Sequence, residues 1–250
     1  NNSIWLGNDP SGTTDTAEQN VAVGTTAMES ITTGDKNVAI GYDALATSTT
    51  GTSNTCVGWE AGTNATSDGN TLIGYDAGRA ITTGGGNICI GSTVGDLLGT
   101  SGANVLIGNS NCESGADGNG KNVMIGTFSG RGNGGKASHC VGIGHSSLYA
   151  VATAEYNQAI GYQCAYNITT GVRNTCIGTN VAMGSYGTAL TTGTDNILIG
   201  TNTDCSAADS TDQIVMGLNV VGNADDSFCF GSGSTDSAIA FGATSITAPS

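Results

Sequence analysis

Positive charge is what this chain has least of. Six lysines and arginines stand against twenty aspartates and glutamates, for a net charge of -14, which argues against nucleic acid and against anionic membrane surfaces as partners. Proline occurs twice and aromatics make up 5% of the residues, so packing of large side chains cannot carry stability. There are two histidines, His139 and His145, neither in metal-ligand spacing with a cysteine. Cys-x-x-Cys, a nucleophile elbow and a phosphate loop are all missing. No enzyme, metal or cofactor is therefore expected. No apolar run reaches the 18 or so residues of a membrane-spanning helix, and no membrane insertion is expected. The chain does not begin with methionine or a signal-peptide pattern, and is expected to be a processed or excerpted piece.

What is abundant is glycine, 41 in 250 residues, and its placement is periodic. A pentapeptide Asn-x-x-aliphatic-Gly ends at Gly7, Gly24, Gly41, Gly58, Gly74, Gly91, Gly108, Gly126, Gly144, Gly161, Gly178, Gly200, Gly217, Gly231 and Gly242. The step is about 17 residues, with a 22-residue interval before Gly200 and steps of 14 and 11 at the end. Self-similarity at this period marks a solenoid, here of about fifteen coils. Residues 1–217 form the regular shaft in this reading, and 218–250 form tapering coils and a cap in which Phe228, Phe230 and Phe241 replace aliphatics.

Within the pentapeptide, the residue before glycine is always apolar (Val23, Ile40, Val57, Ile73, Ile90), and the residue two earlier is mostly β-branched (Val21, Val38, Thr55, Thr71, Ile88). Period-two spacing of such residues predicts a short strand with these columns facing a core, and this much glycine rules out a helix. The residue between them (Trp5, Ala22, Ala39, Cys56, Leu72, Cys89, Leu106, Met124, Gly142, Ala159, Cys176, Leu198) should face the other way. It is apolar too, so an outward stripe requires cover, and identical chains packed around a shared axis supply it. A second short strand after the glycine and turns such as Thr32-Thr33-Gly34 and Thr82-Thr83-Gly84 complete each coil. The fold class is all-β: a flattened parallel β-roll, or β-solenoid, with a rise of about 4.8 Å per coil.

Asparagine opens the pentapeptide at Asn20, Asn37, Asn54, Asn70, Asn87, Asn104, Asn122, Asn157, Asn174 and Asn196. Stacked in register, these amides are expected to form a bracing ladder rather than a ligand site. Four of the eight cysteines (Cys56, Cys89, Cys176, Cys229) share one apolar column, never in adjacent coils. They are read as free thiols acting as small hydrophobes, which suits assembly in a reducing cytoplasm. Lys121, Arg131 and Lys136 fall in a glycine-rich stretch read as a loop, and the extra residues near Met183 to Thr188 as a bulge able to touch a partner.

The segments Asn20 to Gly24 (Asn-Val-Ala-Val-Gly) and Asn37 to Gly41 (Asn-Val-Ala-Ile-Gly) resemble the repeat of the left-handed β-roll heads of trimeric autotransporter adhesins. The longer unit from Asn37 through Gly51, with Gly-Tyr-Asp-Ala-Leu and Thr-Thr-Gly, is similar to repeats of bacteriophage tail fibres, notably marine and cyanophage ones. The resemblance covers nearly all of residues 3–217. It implies a left-handed roll, a homotrimer, location in the virion, and attachment to other virion proteins through a region before Asn1. The ending Ile246-Thr247-Ala248-Pro249-Ser250 is similar to the junction left when an endosialidase-type intramolecular chaperone cuts itself off.

One local pattern points to recognition. In three successive coils the residues after the glycine are Tyr42-Asp43, Trp59-Glu60 and Tyr75-Asp76, which stacking would turn into an aromatic row beside an acidic row. Aromatic faces with carboxylate acceptors suit a host-surface glycan or protein, and three like charges at this spacing could draw in a cation. The function expected is a structural tail-fibre segment that attaches to the host. The alternatives are a bacterial surface adhesin or extracellular fibre subunit and, with Thr-Thr-Gly in only five coils, an ice-binding solenoid.

Overall fold

Three-residue β-branched runs closed by a glycine form the rungs of a parallel sheet. The computed structural model describes residues 2–7, 16–112, 120–132, 137–233 and 237–242, and no described residue is helical. The chaperone-like ending Ile246 to Ser250, Lys136 and the aspartates of residues 8–15 lie outside the described residues.

The chain divides into two compact units. The first, to Ile125, holds β1 (Ile4–Gly7), β2 (Val21–Gly24), β3 (Val38–Ile40), β4 (Thr55–Val57), β5 (Thr71–Ile73), β6 (Ile88–Ser92), β7 (Val105–Asn109) and β8 (Val123–Ile125). Each pairs in parallel with the next, and every pentapeptide position lies opposite itself one coil on, as Ala39 lies opposite Cys56. The second unit holds β9 (Val141–Ile143), β10 (Gln158–Ile160), β11 (Thr175–Thr179), β12 (Ile197–Thr201), β13 (Gln213–Leu218), β14 (Ser227–Ser232) and β15 (Ser237–Ala240). Strands β9 to β14 repeat the parallel in-register pattern. The solenoid with its 17-residue period is thus present, but its last step is not a coil: β15 turns back antiparallel on β14. The 11-residue interval is too short to circle the roll and suffices only for a hairpin return.

Inside and outside are exchanged relative to the sequence reading. The middle column is the interior one: Ala39, Cys56, Leu72, Cys89, Leu106, Ala159, Cys176 and Leu198 are all fully buried. The flanking β-branched columns face out, with Ile40, Ile73, Ile88, Ile160, Ile177 and Ile197 exposed. The reason is the narrow lumen. A coil this short leaves room for one inward side chain per strand, and its size must match what comes from across. Coils with Ala22 and Ala39 carry buried Met28 and Leu45 on the opposite arc, whereas Leu72 is matched by glycine. A Cβ at Gly62 would lie 2.6 Å from Leu72 Cδ1, and one at Gly78 would lie 2.7 Å from Leu72 Cδ2. Close packing thus conserves volume across the lumen.

The expected second strand is also replaced. After the strand-ending glycines from Gly24 to Gly178 the backbone alternates between ordinary and left-handed conformations, even at non-glycine residues: Asp43 and Leu45 have φ of 52° and 53°, and Gln163 and Ala165 have 49° and 54°. Alternation turns successive peptide groups up and down the stack. Thus Leu45 N–H donates to Ala61 O at 3.0 Å in the next coil, while Glu60 N–H donates back to Tyr42 O at 2.8 Å. These coil-to-coil bonds satisfy the buried backbone and offset the strain of the left-handed residues.

The strand-ending glycines are required by geometry. Gly58 has φ 141°, and a Cβ there would collide with the carbonyl oxygen of Gly74, as one on Gly144 (φ 131°) would with that of Gly161.

Candidate functional site

The asparagines line the inner edge of the roll just before each strand, and all ten are buried. Asn37 Oδ1 accepts the backbone N–H of Asn54 at 2.9 Å, and Asn37 Nδ2 donates to Gly51 O at 2.7 Å. The same pair of bonds recurs along both units: Asn70 N–H reaches Asn54 Oδ1 at 2.9 Å and Asn174 N–H reaches Asn157 Oδ1 at 3.0 Å. Each amide therefore joins its own turn to the next coil. Sequence reading missed members of this row, Ser3 among them, whose Oγ accepts the Asn20 N–H at 3.0 Å. Gln213 continues the row by donating its N–H to Asn196 Oδ1 at 3.0 Å, and Cys140 stands where β9's asparagine would be, its thiol 3.4 Å from Ser138 O. Position in the pentapeptide, rather than residue type, was the signal for each.

The six recognition candidates occupy the arc that follows β3, β4 and β5. Tyr42 and Trp59 stack with ring centroids 4.3 Å apart and remain 40% and 49% exposed. Tyr75, in the third coil, is 54% exposed and makes no ring contact among the described residues. The carboxylates are largely engaged from within. Asp43 accepts from Thr26 Oγ1, and Glu60 accepts from Trp59 Nε1 at 3.0 Å. Arg79 lies 3.8 Å from Glu60 Oε2 and donates through Nε to Asp96 Oδ1 at 3.1 Å. The acidic row thus has a cation of its own in Arg79, and among the described residues no group of three or more His, Cys, Asp or Glu is placed to hold a metal. Asp76 is buried, its Oδ1 has no hydrogen-bond partner, and desolvation raises its pKa against the opposing pull of Arg79. Asp43, with some desolvation, raises the pKa of the Tyr42 hydroxyl. What remains open to a ligand is the stacked ring pair with a partly neutralised acidic border, an arrangement suited to stacking a sugar face and accepting from its hydroxyls.

All eight cysteines are free, and those of the middle column point into the lumen, not toward a shared axis. Burial pushes the Cys56 and Cys205 thiols up to about 12. The inserted segment is ordered around Asp204, whose buried carboxylate accepts the backbone N–H groups of Gly184, Tyr186 and Gly187 at 2.7, 2.8 and 2.9 Å. Arg131 lies against aromatic rings, 4.9 Å from the centroid of Phe128 and 5.9 Å from that of Tyr149.

Comparison with protein-family models, with curated proteins and with solved structures finds no match to this chain. No helix among the described residues is long and apolar enough to cross a membrane.

Proposed function

We propose that the chain is the β-roll segment of a trimeric bacteriophage tail fibre, carried on the virion, passive in chemistry and attaching to the host cell surface. The observation that carries this reading is the outer face of the strands. In each unit two adjacent aliphatic columns stand side by side in water, represented by Val38 with Ile40 and Ile88 with Ile90 in the first and by Ile197 with Ile199 in the second. A soluble monomer seldom exposes a contiguous apolar stripe of this kind, and homotrimer packing covers it with two more copies of itself. The shared axis then lies against the β-branched columns, while the alanine and cysteine column stays inside each roll. The Tyr42 and Trp59 stack is the candidate contact for a host glycan, and the engagement of Asp43 and Glu60 by neighbours favours binding over hydrolysis.

Sedimentation equilibrium tests the assembly. The expected result is a trimer that Ile73→Asp and Ile177→Asp weaken, since a charge at a desolvated interface is costly. A monomeric unsubstituted chain, or a trimer that both substitutions leave as stable as before, overturns the fibre reading. The asparagine pentapeptide equally supports a bacterial surface adhesin or extracellular fibre subunit, which a signal peptide and membrane anchor in the parent gene would distinguish.

A further inference from the structure

The exposed rings of the first unit sit in more negative charge than the chain itself neutralises. Beside the Tyr42 and Trp59 stack, Asp43, with some desolvation, then Glu60 and Glu29 raise the pKa of the Tyr42 hydroxyl, and all three are carboxylates. Arg79 is held by Asp96, with Nε 3.1 Å and Nη2 3.4 Å from the two carboxylate oxygens, and stands 3.8 Å from Glu60 Oε2. One guanidinium is thus set among five carboxylates, Glu29, Asp43, Glu60, Asp76 and Asp96.

Asp76 makes a separate demand. Its N–H donates to Trp59 O at 2.9 Å, which seats it against the Trp59 coil. The residue is only 9% exposed, and its Oδ1 has no hydrogen-bond partner. Desolvation raises its pKa, Arg79 opposes the rise, and Glu60 and Asp96 add to it. A buried acceptor left without a donor costs free energy that an incoming N–H recovers. Trp59 and Tyr75 stay 49% and 54% exposed in these two coils, and the faces of such rings attract a cation.

Excess carboxylate, an unpaired acceptor and exposed rings ask for one chemistry: a group that is positive, donates N–H and is carried on a body with an apolar face. We propose that Tyr42, Trp59 and Tyr75, with Glu60 and Asp76, bind a glycan through an amino sugar whose amine is free and protonated. A neutral sugar meets the rings and the acceptor but leaves the charge excess, and an acidic sugar is repelled by it. A quaternary ammonium brings the charge but no N–H for Asp76. The inference rests on the reading of this ring pair as a glycan contact and names the class of sugar it takes.

The test measures binding of the full chain to the trisaccharide of glucosamine and to that of N-acetylglucosamine at physiological salt, with sedimentation run on every variant. The glucosamine trisaccharide is expected to bind about tenfold more tightly or better. Trp59→Ala and Glu60→Gln should each weaken it about fivefold or more, the first through the ring and the second through the charge. Tyr162→Ala, which removes a ring of the second unit that is likewise 49% exposed, should leave it unchanged. Equal or tighter binding of the N-acetylated sugar, or an effect of Trp59→Ala without one of Glu60→Gln, overturns the ammonium inference and leaves the glycan contact standing. Binding of neither sugar overturns the inference, as does a loss in Tyr162→Ala. Binding that survives Trp59→Ala puts the sugar elsewhere and overturns the glycan contact as well. If Trp59→Ala changes the sedimenting species, the rings are a subunit contact and both fall.

Discussion

The two units use one interior and two exteriors. In both, alanine, cysteine and leucine fill the lumen, asparagines cross-link successive coils, and glycines close the strands. Outside, the same arc carries Tyr42, Trp59 and carboxylates gathered on Arg79 in the first unit. In the second it carries Tyr149 stacked on Tyr166, with Arg131 over the Tyr149 ring. The backbone bonds of each coil are made before any outward side chain is chosen, so decoration can vary at little cost to the fold. Substitutions in the shared interior should therefore cost both units alike, and substitutions on the arc should not.

The largest effect is expected at the strand glycines. Gly58→Ala and Gly144→Ala each force a Cβ into a neighbouring carbonyl at a φ that alanine avoids, and should cost about 4 kcal/mol or more. Loss of cooperative unfolding in both variants supports the equivalence of the units, and a tolerated change in one breaks it. Next come Asn54→Ala and Asn174→Ala, which strand buried donors and acceptors in two adjacent coils. A loss of about 2 to 4 kcal/mol is expected for each in chemical denaturation.

Alkaline pH should weaken both units through Cys56 and Cys205. Each thiol keeps its proton in the folded state to about 12, above the ordinary value of 9.0, so the unfolded chain ionises first. Stability is full below pH 9.0 and falls as pH rises toward 12, and Cys56→Ala should flatten its share of that slope. Asp76 shows the same sign in the acid range. Its raised pKa makes the folded state hold a proton longer than the unfolded one, so stability falls as pH rises through that window, and Asp76→Asn should remove the fall in a pH-dependent melting series. The smallest effect is at Arg79, 42% exposed in its side chain, where Arg79→Ala should cost at most about 1 kcal/mol and leave the second unit unchanged.

The period, the glycine column, the asparagine column and the strand positions were legible because each repeats one residue type at one place. Which strand face is interior was not, because both are apolar. Hydrophobicity favoured the valine and isoleucine columns, and only the exchange of volume between Leu72 and Gly62 across the lumen reveals the smaller column as the core. The arc was read as strand because Leu45 and Ala165 carry nothing in their identity that announces a positive φ. The rings of the second unit escaped notice because Arg131, Tyr149 and Tyr166 are far apart in sequence and align only once the coils are stacked.

In-register pairing has a consequence for how such a chain can change length. Every coil presents to its successor the same bonds that its predecessor presents to it, and the step from Gly58 to Gly74 shows that sixteen residues serve as well as seventeen. Excising or duplicating one whole repeat restores matching edges on both sides of the join, so inheritance can lengthen or shorten the molecule in discrete quanta without redesigning any contact.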